Sequence, residues 1–196
     1  MLNVHALALG AYQTNCYIIH DKNSTSCCVI DPGYEADTIL EKLTELGLSL
    51  EAILLTHGHF DHVGAVRQLA ADTGCAVFLC AEDLTMPPQL TAGTLYYTHT
   101  YAEGTQLHLA GLDITVWQTP GHTPGSVCLL VEDTLFSGDT LFAGSCGRTD
   151  LPGGSWEQIR ASLNRLSQIE ANLWVLPGHG ESTMLASEKK YNPYLR

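Results

Sequence analysis

The sequence has few basic residues. Lysine and arginine together number 9, against 21 aspartates and glutamates, and the formal net charge is −12 at pH 7. A nucleic-acid-binding protein needs a basic surface to neutralise phosphates, so this balance disfavours a nucleic-acid partner. Long apolar runs are missing too, and the first residues lack the basic and apolar segments of a signal peptide. We therefore expect a cytoplasmic protein with no membrane partner.

The sequence also lacks any Cys-x-x-Cys spacing. It contains seven cysteines, an odd number, which indicates neither a disulfide framework nor a structural zinc site. Several cysteines stand inside apolar runs, where a small thiol fills space in a core, and we expect that role for most of them. Cys146 follows Asp139 by a few residues. For this thiol, burial is the favoured interpretation and an approach to a pocket is the alternative.

Hydrophobic patterning predicts alternating strands and helices in a single domain over residues 1–196. Predicted strands cover residues 2–9, 15–20, 26–30, 52–55, 76–79, 113–118, 126–131, 134–136 and 173–176. Predicted helices cover about 39–46, 63–72 and 156–166, with Ser155 capping the last. The stretch 81–101 has no regular period, and its tyrosines could line a groove or pack in the core. This order favours an α/β protein.

The segment T-H-G-H-F-D-H directly follows the apolar run 52–55 and is the most informative part of the chain. It places four potential metal ligands within six residues: His57, His59, Asp61 and His62. In an extended backbone, side chains two residues apart point to the same side, so His57 and His59 can bind the same metal ion. Imidazole and carboxylate groups together suit zinc, iron or manganese. We therefore predict a metal site at this strand end.

Three further candidate ligands follow apolar runs later in the chain. His122 lies in T-P-G-H-T-P-G, Asp139 in S-G-D-T and His179 in P-G-H-G. Glycine and proline around each one allow the sharp turns that crowd a small ligand. Since loops at strand ends are where α/β proteins usually place their chemistry, these residues are expected to join the first segment at one sheet edge.

Taken in order, these four motifs resemble those of the metallo-β-lactamase superfamily of hydrolases. Residues 29–33, 141–150 and 188–194 further resemble the glyoxalase II-like branch, the hydroxyacylglutathione hydrolases and their short bacterial relatives. The resemblance implies an αββα four-layer sandwich, in which two mixed β-sheets are flanked by helices. It also implies a substrate that is a small molecule, and it is compatible with a monomer or a homodimer.

The resemblance implies two divalent metal ions. His57, His59 and His122 would hold the first, Asp61, His62 and His179 the second, and Asp139 would bridge both. Zinc is the expected metal, with iron and manganese as alternatives, because this set of imidazoles and carboxylates accepts all three.

Hydrolysis of a small acyl thioester such as S-lactoylglutathione is the reaction that the resemblance implies. A hydroxide held between the metals would attack the carbonyl carbon, with Asp61 and Asp139 as the catalytic carboxylates. His59 favours hydrolysis, because the flavo-diiron relatives carry a carboxylate there. The alternatives are a persulfide dioxygenase with a single iron, and a hydrolase acting on another ester or lactone.

Three residues are candidates for supporting roles. Asp31 and Thr56 could accept the second N–H of a metal-bound imidazole, while capping of a helix or turn is the competing role for Asp31. Arg148 could bind a substrate carboxylate through two hydrogen bonds. A pairing between Arg148 and Asp150 that shapes their loop is the alternative interpretation.

Overall fold

Two six-stranded sheets form the centre of the computed structural model, which describes residues 1–91 and 93–195. The first sheet contains, in spatial order, β1 (Leu2–Leu9), β2 (Thr14–Asp21), β3 (Ser26–Ile30), β4 (Ser49–Leu54), β5 (Ala76–Cys80) and β6 (His99–Tyr101). The first three strands pair antiparallel and β3 to β6 pair parallel, so this sheet is mixed.

The second sheet is built from the later strands and is mixed as well. It contains β7 (Gln106–Leu109), β8 (Leu112–Gln118), β9 (Val127–Val131), β10 (Thr134–Gly138), β13 (Trp174–Pro177) and β14 (Thr183–Met184). Of its neighbouring strands, β10 and β13 run parallel and the others antiparallel. A two-stranded hairpin of β11 (Leu141–Phe142) and β12 (Ser145–Cys146) stands beside it.

Helices cover the outer face of each sheet. They are α1 (Ala36–Leu46), α2 (Phe60–Val63), α3 (Val66–Thr73), α4 (Trp156–Ser167) and α5 (Leu185–Tyr191), with a 3₁₀ helix at Ala81–Thr85. One apolar cluster lies between the first sheet and α1 and α3, a second between the two sheets, and a third between the second sheet and α4 and α5. These layers confirm the predicted αββα sandwich.

Strand β4 shows why the apolar run before the T-H-G-H-F-D-H segment is continuous. Ile53 packs in the outer cluster under the helices, whereas Ala52 and Leu54 pack in the cluster between the sheets. Because successive side chains of a strand point to opposite faces, a strand covered on both faces has to be apolar throughout. This burial fixes the strand end from which the candidate ligands emerge.

Most predicted elements occur within a few residues of their expected bounds, with two corrections. The helix predicted from about residue 63 begins at Phe60 and is interrupted between α2 and α3, where Gly64 lies so close to the Gly33 carbonyl that a Cβ would collide with it. The stretch 81–101 is not wholly irregular, since it begins with the 3₁₀ helix and ends with β6.

The side chains of Ser155 and Tyr101 have structural roles in the fold. Ser155 caps α4 as predicted, and its hydroxyl accepts a hydrogen bond from the Gln158 N–H. Tyr101 packs between the sheets and donates to the Leu55 carbonyl, so core packing is its role. No helix within residues 1–91 and 93–195 is long and apolar enough to cross a membrane.

Candidate metal centre

Seven predicted ligands converge at one edge of the two sheets. Each follows the carboxyl end of a strand or lies in the helix that comes next. His57 and His59 follow β4, and Asp61 and His62 lie in α2; the loops after β8, β10 and β13 supply the others, His122, Asp139 and His179. Strand ends therefore bring together residues that are up to 122 positions apart in the sequence.

A first cluster consists of three buried histidines, His57, His59 and His122. Their candidate ligand nitrogens all lie within 4.8 Å of one another, and His59 Nδ1 is 2.8 Å from His122 Nε2. Burial and the neighbouring imidazoles lower the pKa of His57, and the same causes lower the pKa of His59 to about 4. These two rings are therefore neutral near pH 7, which leaves a nitrogen lone pair on each for a metal ion.

A second cluster consists of Asp61, His62 and His179. His179 Nε2 lies 3.2 Å from Asp61 Oδ2 and 3.3 Å from His62 Nε2. Burial opposes ionisation of Asp61, but the hydrogen bond from His179 and the charge of His62 outweigh it and lower its pKa to about 2. Burial likewise opposes protonation of His62, yet the carboxylates of Asp139 and Asp31 outweigh it and raise the pKa to about 9.

The Asp139 carboxylate lies between the two clusters. Its Oδ2 is 3.5 Å from His122 Nε2 and 3.6 Å from His179 Nε2, and its Oδ1 is 3.5 Å from His62 Nε2. Asp139 Oδ1 and the Nε2 atoms of His57 and His59 are buried and have no hydrogen-bond partner within the described part of the chain. Buried lone pairs without partners are costly unless a cation takes them up. The donor set therefore suits a pair of divalent metal ions.

Asp31 and Thr56 fix the rings of His57 and His62. Asp31 Oδ2 is 2.9 Å from His62 Nδ1 and accepts the Thr56 hydroxyl at 2.6 Å, and Oδ1 accepts the Thr56 N–H. The Thr56 hydroxyl in turn lies 3.1 Å from His57 Nδ1. These contacts occupy the Nδ1 side of both rings and leave Nε2 free to face the centre. Although Asp31, His57 and His62 also come within ligand distance of one another, the Asp31 oxygens are already engaged.

Two backbone carbonyls orient His122 and His179 in the same way. His122 Nδ1 is 2.8 Å from the carbonyl oxygen of Arg148, and His179 Nδ1 is 3.2 Å from that of Tyr12. In each case the Nδ1–H donates to the carbonyl, so the Nε2 atom of the ring faces the metal centre. Sequence reasoning missed both contacts, because a backbone carbonyl leaves no signature in residue type.

Asp83 is a further residue of the site that the sequence analysis missed. It is fully buried, and its carboxylate accepts hydrogen bonds from the N–H of Gly58 at 2.7 Å, the N–H of Gly125 at 2.6 Å and the hydroxyl of Thr123 at 3.0 Å. Gly58 belongs to the loop of the first two histidine ligands, and the other two donors follow His122 in its loop. The signal that could have revealed Asp83 is its position directly after β5, at the same sheet edge.

Glycine is required at position 178, where the backbone passes close to the candidate metal ligands. A Cβ on Gly178 would lie 2.7 Å from His62 Cε1 and would also collide with Asp139 Oδ1. Only a residue without a side chain allows the strand end before His179 to come this close.

A cavity of about 560 Å³ opens onto both clusters. Its walls contain Tyr12, Phe60, Leu90, Phe142, Ser145, Cys146, Arg148 and Leu151. Arg148 lies at this cavity, but its guanidinium makes two hydrogen bonds of 2.7 Å to Asp150. Cys146 is only partly buried and lines this cavity. The expectation that its thiol is buried was therefore wrong, and the alternative of a thiol near a pocket is correct. Partial burial raises the pKa of Cys146, which keeps the thiol protonated near pH 7.

Comparison with known proteins agrees with this geometry. The chain matches the metallo-beta-lactamase superfamily over residues 9–179. It is 34% identical over 209 residues to the hydroxyacylglutathione hydrolase GloC of Haemophilus influenzae, covering 99% of this chain and 98% of that protein. The BLEG-1 B3 metallo-beta-lactamase has a TM-score of 0.90 and 33% identity, over 100% of this chain and 99% of that one. TTHA1623 in a di-iron-bound form has a TM-score of 0.88 and 36% identity, over 98% of this chain and 100% of that one. The chain belongs to the metallo-beta-lactamase superfamily.

Proposed function

We propose that this protein is a metal-dependent hydrolase of small acyl thioesters, related in activity to glyoxalase II, with S-lactoylglutathione as a representative substrate. The observation that carries the proposal is that both ligand clusters are complete and share Asp139 at the floor of an open cavity. The similarity over nearly the whole chain to the hydroxyacylglutathione hydrolase of Haemophilus influenzae supports the substrate class.

In this proposal His57, His59 and His122 would hold one metal ion and Asp61, His62 and His179 the other, with Asp139 as the carboxylate available to both. Bound divalent ions supply Lewis acidity and lower the pKa of water to about 7. Asp31 and the carbonyls of Arg148 and Tyr12 keep the imidazole rings in the orientation that ligation needs.

The reaction replaces the carbon–sulfur bond of the thioester by a carbon–oxygen bond from water, and the sulfur leaves as a thiolate. No serine or cysteine nucleophile is required. Cys146, the thiol at the cavity wall, has a raised pKa and does not supply one. Asp61, whose pKa is lowered to about 2, stays ionised at neutral pH and can accept a hydrogen bond from the attacking water.

A persulfide dioxygenase is the second candidate, and one observation favours it. Two histidines and one carboxylate suffice for a single iron in non-haem oxygenases. Here His122 Nε2 lies 3.5 Å from Asp139 Oδ2, and the ring centroids of His57 and His122 are 4.8 Å apart. The seven candidate ligands therefore include two histidines and a carboxylate that could hold a single iron. The intact second cluster of Asp61, His62 and His179 favours hydrolysis, since one iron would leave it unused.

Parallel assays distinguish the two reactions. Thioester hydrolysis is followed on S-lactoylglutathione and oxygen uptake on glutathione persulfide, with the purified protein and with His57→Ala. The proposal expects hydrolysis without oxygen uptake, and loss of hydrolysis in the variant. His108→Ala is the matched control, because His108 is an exposed histidine paired with Asp113 outside the site. Oxygen uptake without thioester hydrolysis would establish the second candidate instead.

A further inference from the structure

We propose that the cavity selects thioesters by an uncharged, apolar group and does not recognise the charges of an anionic thiol such as glutathione. This inference rests on the proposed thioesterase function and specifies its substrate class.

The cavity wall is mainly apolar around the polar floor. Five of its side chains present carbon surface to the opening: Tyr12, Phe60, Leu90, Phe142 and Leu151. None of them is fully buried, and Tyr12 is 59% exposed although it packs edge-on against Phe60 with ring centroids 5.4 Å apart. Apolar side chains grouped around an opening and left partly exposed to water are typical of a ligand-binding surface.

Among the residues that the structure describes, the cavity wall offers no unpaired cation to an anionic ligand. Arg148 is the only lysine or arginine among the described residues of this cavity. Its Nε and Nη2 atoms each lie 2.7 Å from a carboxylate oxygen of Asp150, so the planar guanidinium is already engaged in the bidentate geometry that a substrate carboxylate would need. Glutathione carries two carboxylates, and the described part of the wall provides no second positive side chain to receive them.

The apolar wall is held in place by the C-terminal helix. Asn192 Nδ2 donates to the carbonyl oxygens of Ser145 at 2.9 Å and Phe142 at 3.3 Å, and Glu188 Oε2 accepts the Gly144 N–H at 2.8 Å. Glu188 in this helix and Asn192, which follows its last residue, are both buried. The hairpin of β11 and β12, which carries Phe142 and Cys146 to the cavity, is therefore pre-formed, and a pre-formed apolar wall discriminates between ligands by their apolar surface.

The test compares thioesters in which acyl group and thiol vary independently. Acetyl, butyryl and lactoyl thioesters are prepared with N-acetylcysteamine, a neutral thiol, and with glutathione. Two added methylene groups, at about fourfold each, are expected to raise kcat/KM about 15-fold from acetyl to butyryl on either thiol. Exchange of one thiol for the other at constant acyl group is expected to change kcat/KM by less than about threefold, because rim charges are paired and solvent-screened. A preference of tenfold or more for glutathione thioesters would overturn the inference.

Two variants and a control connect the selectivity to the wall. Leu151→Ser should reduce the advantage of butyryl over acetyl, measured as the ratio of their kcat/KM values. Arg148→Ala should affect glutathione and N-acetylcysteamine thioesters equally. Leu84→Ser is the control, since Leu84 is an exposed leucine outside the cavity. A selective loss of glutathione thioesters in Arg148→Ala, or an unchanged acyl preference in Leu151→Ser, would contradict the inference.

Failure of this inference differs from failure of the proposed function. If no thioester is hydrolysed by the metal-loaded protein, the proposed function fails and the inference fails with it. If thioesters are hydrolysed with a strong glutathione preference, the proposed function stands and the apolar-group selectivity alone is wrong.

Discussion

Replacement of Asp83 is expected to damage the first histidine cluster without removing any of its ligands. The Asp83 carboxylate joins the loop that carries His57 and His59 to the loop that carries His122, through its bonds to Gly58, Thr123 and Gly125. Asp83→Ala therefore removes the acceptor for three buried donors at once.

The size of the effect follows from those donors. A buried donor left without a partner costs about 1–3 kcal/mol, so three of them predict a loss of about 3 kcal/mol or more in the free energy of unfolding. For a protein of this length, about 2–4 °C of Tm is lost per kcal/mol, which corresponds to a fall of about 6–12 °C. Loss of groups that orient metal ligands also lowers metal affinity by about 10- to 100-fold.

Two measurements on the metal-free protein test this prediction. Thermal unfolding gives the change in Tm, and zinc titration gives the affinities of the two sites separately. The expected result is weaker binding at His57, His59 and His122, with the site of Asp61, His62 and His179 changed far less. Glu82→Ala is the matched control, because Glu82 is the exposed acid next to Asp83 in the same 3₁₀ helix.

Either of two results would contradict this role of Asp83. An unchanged Tm in Asp83→Ala would show that the three hydrogen bonds contribute no net stability. Equal losses of affinity at the two sites would show that Asp83 supports the fold in general and does not position the first cluster.

Three further predictions concern other parts of the site. Zinc affinity at the second site should fall about tenfold per pH unit below pH 9, because zinc must displace the proton of His62, whose pKa is about 9. Zinc affinity at the first site should fall less steeply, because burial lowers the pKa of His57 and lowers that of His59 to about 4; equal slopes in zinc titrations at pH 6, 7 and 8 would contradict this. Gly178→Ala should reduce zinc binding at least tenfold by equilibrium dialysis, because its Cβ meets His62 and Asp139. Glu188→Ala should lower Tm by about 4–12 °C, since three donors lose a buried acceptor, and an unchanged Tm would refute that role.

Much of the fold and the ligand set could be predicted from the sequence, because both depend on local patterns. A strand covered on both faces is apolar throughout, as residues 52–55 are, and each ligand follows such a run within a few positions. Short elements were harder to predict. Strand β6 has three residues, of which His99 and Thr100 are exposed, so it carries no hydrophobic period.

The supporting contacts of the site depend on tertiary proximity and left little trace in the sequence. Asp83 joins loops 25 and 42 residues away from it, and the imidazoles of His122 and His179 are oriented by backbone carbonyls, which every residue possesses. For Arg148 the residue type allowed two interpretations, and only the structure shows its guanidinium beside Asp150. The apolar character of the cavity wall likewise emerged only when five distant side chains were placed together.

Metal content tests most directly whether this chain holds two metal ions. Elemental analysis is made on protein purified without added metal, and again on Asp139→Ala, in which the carboxylate between the clusters is lost. About two divalent ions per chain are expected in the unaltered protein, and clearly fewer in the variant. A single ion per chain, retained after Asp139 is replaced, would contradict this expectation.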